Sequence, residues 1–206
     1  MKVLLINGSP HEKGCTYTAL SLIAGELKAQ GIETEILHVG GQPVGGCIGC
    51  GGCRSGNGCV FGGVVNEAIE KAKTADGFVF GSPVHYASAS GNMTSFMDRL
   101  SYAGGKYLAY KPAAICCSAR RAGTTTTLDQ LVKYPQFFHM PLVNGSYWAM
   151  VHGSNPEQVL QDAEGCAVMQ ELGRNMAWLL RCIEAGKAAG IDHPQNPPRP
   201  MTNFIR

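Results

Sequence analysis

Five short apolar runs, each followed by a segment of helical periodicity, constrain this chain more than any other feature in it. The runs are residues 2–7, 33–39, 77–81, 112–117 and 142–147. The helical patterns are 16–30, 64–75, a stretch from Ser90 or Gly91 to Leu100, 125–134 and 156–189. In the first of them Leu20, Ile23, Ala24 and Leu27 recur at helical spacing, and Gly31 ends it. Strictly alternating strands and helices predict an α/β fold: a five-stranded parallel sheet with helices on both faces, hence three layers. A chain of 206 residues that is 45% hydrophobic fits a single core. The tail holds Pro194, Pro197, Pro198 and Pro200. The prediction is therefore one domain over 1–190 and a proline-rich C-terminal arm over 191–206.

Several classes of function drop out on composition. A net charge of +2 gives no field suited to nucleic acid. No apolar run approaches the roughly 20 residues of a membrane span. Met1-Lys2-Val3 leads straight into a strand, without the layout of a signal peptide. A cytoplasmic protein is expected.

Ligands of such sheets bind beyond the C-terminal strand ends, where the strand order reverses. Three loops at such ends are unusual here: 7–16, 82–90 and 118–124. The first joins a strand to a helix start, where free N–H groups and the helix dipole favour an anion. Ser9, Thr16 and Thr18 offer hydroxyls there, and Lys13 and His11 offer positive charge. The loop lacks the Gly-Lys-Ser/Thr ending of a P-loop and the Gly-x-Gly-x-x-Gly pattern, so a mononucleotide phosphate suits it better than a dinucleotide. In the second loop Pro83, Val84, His85 and Tyr86 present backbone groups and a ring to a flat heterocycle. The third loop brings Ser118, Arg120, Arg121, Gly123 and Thr124. Together they are expected to grip the phosphate and ring of one planar cofactor, a description that FMN meets. An ordinary βα turn, a core tyrosine and a solvated arginine pair are the plainer readings of the same residues.

Three stretches carry a family resemblance: Asn7-Gly8-Ser9-Pro10 with Cys15-Thr16, then Gly81-Ser82-Pro83-Val84-His85-Tyr86, then Ser90-Gly91 with Phe96-Met97-Asp98-Arg99. Over most of residues 1–150 the chain resembles the NAD(P)H-dependent FMN reductase-like flavoproteins. The resemblance implies a flavodoxin-like fold with strand order 2-1-3-4-5, and a homodimer or homotetramer. It places the FMN phosphate on Ser9 to Thr18, a span that includes Cys15 and Tyr17, and the ring on Pro83 to Tyr86. His11 and Cys15 depart from the family pattern. The implied activity is an FMN-dependent oxidoreductase. It takes hydride from NAD(P)H as co-substrate and passes electrons to a small acceptor: a quinone, flavin, azo or nitro compound, or metal ion. No side chain is assigned as catalytic.

Nine cysteines are present, four of them within residues 47–59 as C-x₂-C-x₂-C-x₅-C, in a stretch (40–63) that holds eleven glycines. Thiolates so spaced can wrap a compact cluster, and glycines allow the turns. The run resembles that of the iron–sulfur flavoproteins, which implies Cys47, Cys50, Cys53 and Cys59 as ligands of a 4Fe-4S cluster. Structural zinc is the chemical alternative, and thiols without metal the plain one. Two rival functions accompany these options: an electron carrier serving protein partners such as ferredoxin, and a zinc-stapled binding module. Cys116, Cys117, Cys166 and Cys182 read as buried free thiols.

Overall fold

The computed structural model describes residues 1–198 and 200–202. Strands β1 (Lys2–Asn7), β2 (Glu33–His38), β3 (Gly77–His85), β5 (Ala113–Ala119) and β6 (Met150–His152) form one parallel sheet in the order β2-β1-β3-β5-β6. A short strand β4 (Ser88–Ala89) folds back antiparallel on β3. With that hairpin set aside, the order is the predicted 2-1-3-4-5.

Alternation along the strands decides the layers. Leu4, Ile6, Phe78, Phe80 and Ile115 pack against α2 (Val64–Thr74), α3 (Gly91–Gly104) and α4 (Thr124–Phe137). Val3, Leu5, Val79, Ala114 and Cys116 face α1 (Cys15–Ala29) and α6 (Ala163–Ala188). Helices α1 and α6 approach closely at Gly173, where a Cβ would lie 2.7 Å from both the Ile23 carbonyl oxygen and the Glu26 Cβ. Two of the thiols expected to be buried are: Cys116 and Cys117 are fully shielded, and burial pushes the Cys117 thiol up to about 12. Cys166 is half-buried and Cys182 is exposed, so the same expectation fails for Cys182.

Three local expectations are corrected. The third strand does not stop at Gly81 but runs to His85, so Pro83, Val84 and His85 are strand residues rather than loop residues. Residues 142–147 are not a strand; one bridge, Ala113 to Leu142, is all the pairing they make, and the fifth parallel strand is 150–152. The pattern over 156–189 splits into α5 (Pro156–Val159) and α6 because two caps compete for it. Asn155 accepts from Gln158 N at 2.9 Å, and Asp162 accepts from Gly165 N at 3.0 Å.

Beyond α6 the segment 191–198 has no regular secondary structure. It leans on Tyr110, whose ring stacks on His193 with centroids 4.4 Å apart and whose hydroxyl accepts from Asn196 at 2.6 Å. Arg199 and residues 203–206 of the expected arm lie outside the described residues. Among the described residues no helix is long and apolar enough to cross a membrane.

Candidate cofactor site

The first loop is shaped by its own polar groups. Asn7 spans it, donating from Nδ2 to the Glu12 carbonyl (2.9 Å) and accepting from Ser9 N (3.1 Å). The Ser9 hydroxyl accepts from His11 N (3.1 Å), and His38 donates to the Ser9 carbonyl (2.7 Å). Gly14 caps α1 without any side-chain cap, and the first helical bond is Thr18 N to Gly14 O at 3.0 Å. The N–H groups of Cys15, Thr16 and Tyr17 therefore point out of the helix end with no partner among the described residues. That is an anion cradle of backbone donors.

The predicted hydroxyls serve the scaffold first. Thr16 and Ser118, both buried, share a hydrogen bond of 2.8 Å, and Thr18 donates to the Gly14 carbonyl at 3.2 Å. The Cys15 thiol donates to the Gly153 carbonyl (3.5 Å), and burial holds it above the usual thiol range. It stays neutral, so no thiolate competes for the helix end. Lys13 and Tyr17 turn toward the β2 side instead, where with Glu12, Ser21, Lys28 and Thr34 they line a separate depression of about 400 Å³. His11, Arg120 and Arg121 are exposed.

The second and third loops lock onto the first. Ser90 caps α3, accepting from Met93 N (3.3 Å), and donates to the Gly8 carbonyl at 2.7 Å. The β3–β4 hairpin turns through Tyr86 and Ala87, both left-handed at φ 51° and 57°. Non-glycine residues pay for that conformation, and α4 holds them in it. Thr126 donates to the Ala87 carbonyl (2.8 Å), and the Gln130 side-chain oxygen accepts from Ser88 Oγ (2.7 Å) and Ala89 N (2.9 Å). Gly123, at φ 91°, sits so close to Ala87 that a Cβ would lie 2.7 Å from its Cα. Thr124 is buried in the first turn of α4. Tyr86 is fully exposed at the hairpin tip. Between the first two of these loops Gly8, Pro10, His85, Ser90, Gly91 and Asn92 line a cavity of about 310 Å³. A cavity beside an open helix N-terminus, walled by glycine, proline and imidazole, fits a flat ring carrying a phosphate.

Residues 1–155 match the sequence profile of the NADPH-dependent FMN reductase family. The chain belongs to that family. An iron–sulfur flavoprotein of Methanocaldococcus jannaschii is 29% identical over 193 residues, covering 89% of this chain and 100% of that protein. RosB, solved with a bound 8-demethyl-8-formylriboflavin-5'-phosphate, shares the fold with a TM-score of 0.71 over 100% of this chain and 96% of its own, at 14% identity. An archaeal flavodoxin superposes with a TM-score of 0.60, covering 88% of this chain and 99% of its own at 13% identity. The fold is flavodoxin-like, and this member of the FMN reductase family is an FMN-binding flavoprotein of the oxidoreductase class, grouped with the iron–sulfur flavoproteins.

In this family member the cysteine run forms a surface lobe on α3. Cys47, Cys50, Cys53 and Cys59 line one cavity of about 280 Å³ that Ile48, Val60, Phe61 and Tyr102 cover. Its lining holds no carboxylate and no imidazole, a soft donor set of the kind that suits iron–sulfur or zinc. The donor chemistry fits. Among the described residues no three His, Cys, Asp or Glu side chains are grouped to hold a metal ion. Buried Arg99 closes the lobe, donating to Cys59 Sγ (3.2 Å) and to the carbonyls of Gly45 (3.3 Å) and Gly62 (3.0 Å). Asn92 ties the base of the lobe to the ring cavity through the carbonyls of Gly40 and Gln42 and the N–H of Val44.

Asn92, His38 and Arg99 are the supporting residues that sequence reasoning did not assign. Only Arg99 had a signal, as the last residue of the Phe-Met-Asp-Arg stretch.

Proposed function

We propose that this protein is an FMN-dependent oxidoreductase that takes a hydride from NAD(P)H and delivers the electrons to a small acceptor such as a quinone, flavin, azo or nitro compound, or metal ion. The observation that carries the proposal is the open N-terminus of α1, in a loop that walls one cavity together with the end of β3 and the start of α3, while Ser118 is bonded to that loop and α4 to the hairpin after β3. FMN supplies the hydride and electron chemistry when bound. The chain supplies position. The N–H groups of Cys15 to Tyr17 hold the phosphate, and Ser9 and the Thr16–Ser118 pair keep that loop in shape. The hairpin of Val84 to Ala87 and the first turn of α3 would orient the ring. No acid–base side chain is needed beyond these. Cys47, Cys50, Cys53 and Cys59 would hold an iron–sulfur cluster, and the link through Asn92 from their lobe to the ring cavity supports a second reading as an electron carrier between proteins.

One experiment separates the readings. The protein is purified without oxygen, its absorption spectrum and iron and sulfide content are measured, and its reduction by NADH, NADPH and reduced ferredoxin is timed. Flavin bands with catalytic NAD(P)H oxidation are expected. Fast reduction by ferredoxin alone supports the carrier. A colourless protein that also fails to take up added FMN overturns both.

A further inference from the structure

A second cavity, of about 450 Å³, opens at the β6 edge of the sheet, away from the three loops. It exists because residues 143–149 leave the sheet. At one end Ala113 is paired, donating to the Pro141 carbonyl (2.9 Å) and accepting from Val143 N (2.8 Å). At the other end Cys117 N donates to the Ala149 carbonyl (3.0 Å). On β5 three residues, Ala114 to Cys116, separate Ala113 from Cys117, whereas the register of the partner advances from Leu142 to Met150. The surplus bulges out toward α6. Glu171 accepts from Ser146 N (2.8 Å) and Oγ (2.7 Å), and Asn175 donates to the Asn144 carbonyl (2.8 Å). Gly145 lies close under the bulge: a Cβ there would be 3.1 Å from Val168 Cγ1, close enough that this side chain would have to shift.

The bulge's polar groups are thus engaged by α6, and Ile115 is left over. Its N–H and C=O point the same way as those of Ala113 and Cys117, toward the gap, and neither has a partner there among the described residues. Ile115 is 9% exposed, and buried backbone groups nearly always find partners. The gap is one residue wide and paired on both sides, so no strand can add to it. It lies in the plane of the sheet, between α4 and α6. Leu128 and Val132 wall it on one side, Leu172 on the other, and Tyr147 and Trp148 stand at its mouth, both more than half exposed. Asp129 at the rim disfavours an anion.

We propose that this gap is a binding site for a small, neutral, flat heterocycle with a lactam or imide edge. Its ring N–H donates to the Ile115 carbonyl, and its adjacent carbonyl accepts the Ile115 N–H. Its faces lie against Leu128, Val132 and Leu172, with Trp148 across the opening. This site is separate from the FMN cavity.

The test is calorimetric titration of the FMN-saturated protein with lumazine, a pteridinedione with two such edges, and with 1,3-dimethyllumazine, which keeps the shape but has no N–H. Saturable binding of lumazine is expected, at least tenfold weaker for the dimethyl compound. Val132→Phe, which fills the gap, should abolish lumazine binding while FMN content stays unchanged; Trp148→Ala, at an exposed side chain, should weaken it several-fold. No saturable binding to millimolar lumazine would mean that water alone meets Ile115. Equal binding of the two compounds, or binding that survives both substitutions, also overturns the proposal.

Discussion

Cys15 stands where the proposed phosphate donors begin, and there its backbone N–H matters more than its side chain. It occupies the first helical position of α1, where the N–H has no helical partner. Proline is tolerated at that position because the missing N–H is one the helix does not use, and Gly14 already has the extended backbone (φ −89°, ψ −162°) that a following proline requires. The chain uses the same device at Pro156, the first residue of α5. Cys15→Pro should therefore bind FMN about tenfold more weakly than Cys15→Ala, the loss of one hydrogen bond to a charged group at about 1.5 kcal/mol. Riboflavin, which lacks the phosphate, should bind both variants alike. A fluorescence titration with the two ligands decides; equal FMN affinity in the two variants removes the phosphate from the α1 end. Sequence reading singled out this end because a strand, a small-residue loop and a helix start are contiguous. It grouped Lys13 and Tyr17 with it by adjacency; the structure places both along the depression on the β2 side, which adjacency in sequence does not reveal. His38 and Asn92 were invisible for the opposite reason: their partners, Ser9 and Gly40, are 29 and 52 positions away.

Elements were legible where periodicity was long and misread where side chains pull the backbone off its pattern. The apolar run 142–147 has the composition of a strand, yet Glu171 and Asn175 of α6 take its polar groups and leave it as a bulge. The Glu171 clamp has a pH signature. The Ser146 hydroxyl and N–H, and Arg174 further off, hold the carboxylate below its ordinary 4.5. A carboxylate lowered on folding stabilises above its unfolded pKa, and that contribution fades as pH falls through the lower folded value. In a Trp178→Phe background, the emission of Trp148 should change reversibly as pH is taken below 4.5. In Glu171→Gln, whose amide oxygen still accepts but does not titrate, that change should disappear. Matching profiles in the two proteins would show that the bulge is held by something other than this carboxylate.

At the scale of the molecule, the three loops come from three strands that are neighbours only in the folded sheet, and they are joined by few bonds: Ser90 to Gly8, Thr16 to Ser118, Thr126 to Ala87. A parallel sheet with helices on both faces was readable from the alternation of strands and helices, and the strand order that gathers the loops from the family resemblance; the bonds that lock them were not readable, since each joins residues far apart in sequence. A ligand that touches all three adds its binding energy to the stability of the whole. FMN at one hundred times its Kd should stabilise the protein by about 2.7 kcal/mol. For a chain of this size that is a rise of about 5–10 °C in Tm. Hydrogen exchange locates the gain. Protection should increase together at 8–18, 84–90 and 118–124, because opening any one loop releases the ligand, while the backbone amides of 191–196, the segment that leans on Tyr110, should exchange as before. Protection confined to 8–18 would place the phosphate correctly and the ring elsewhere, and would break the link between hairpin and flavin on which the proposed chemistry depends.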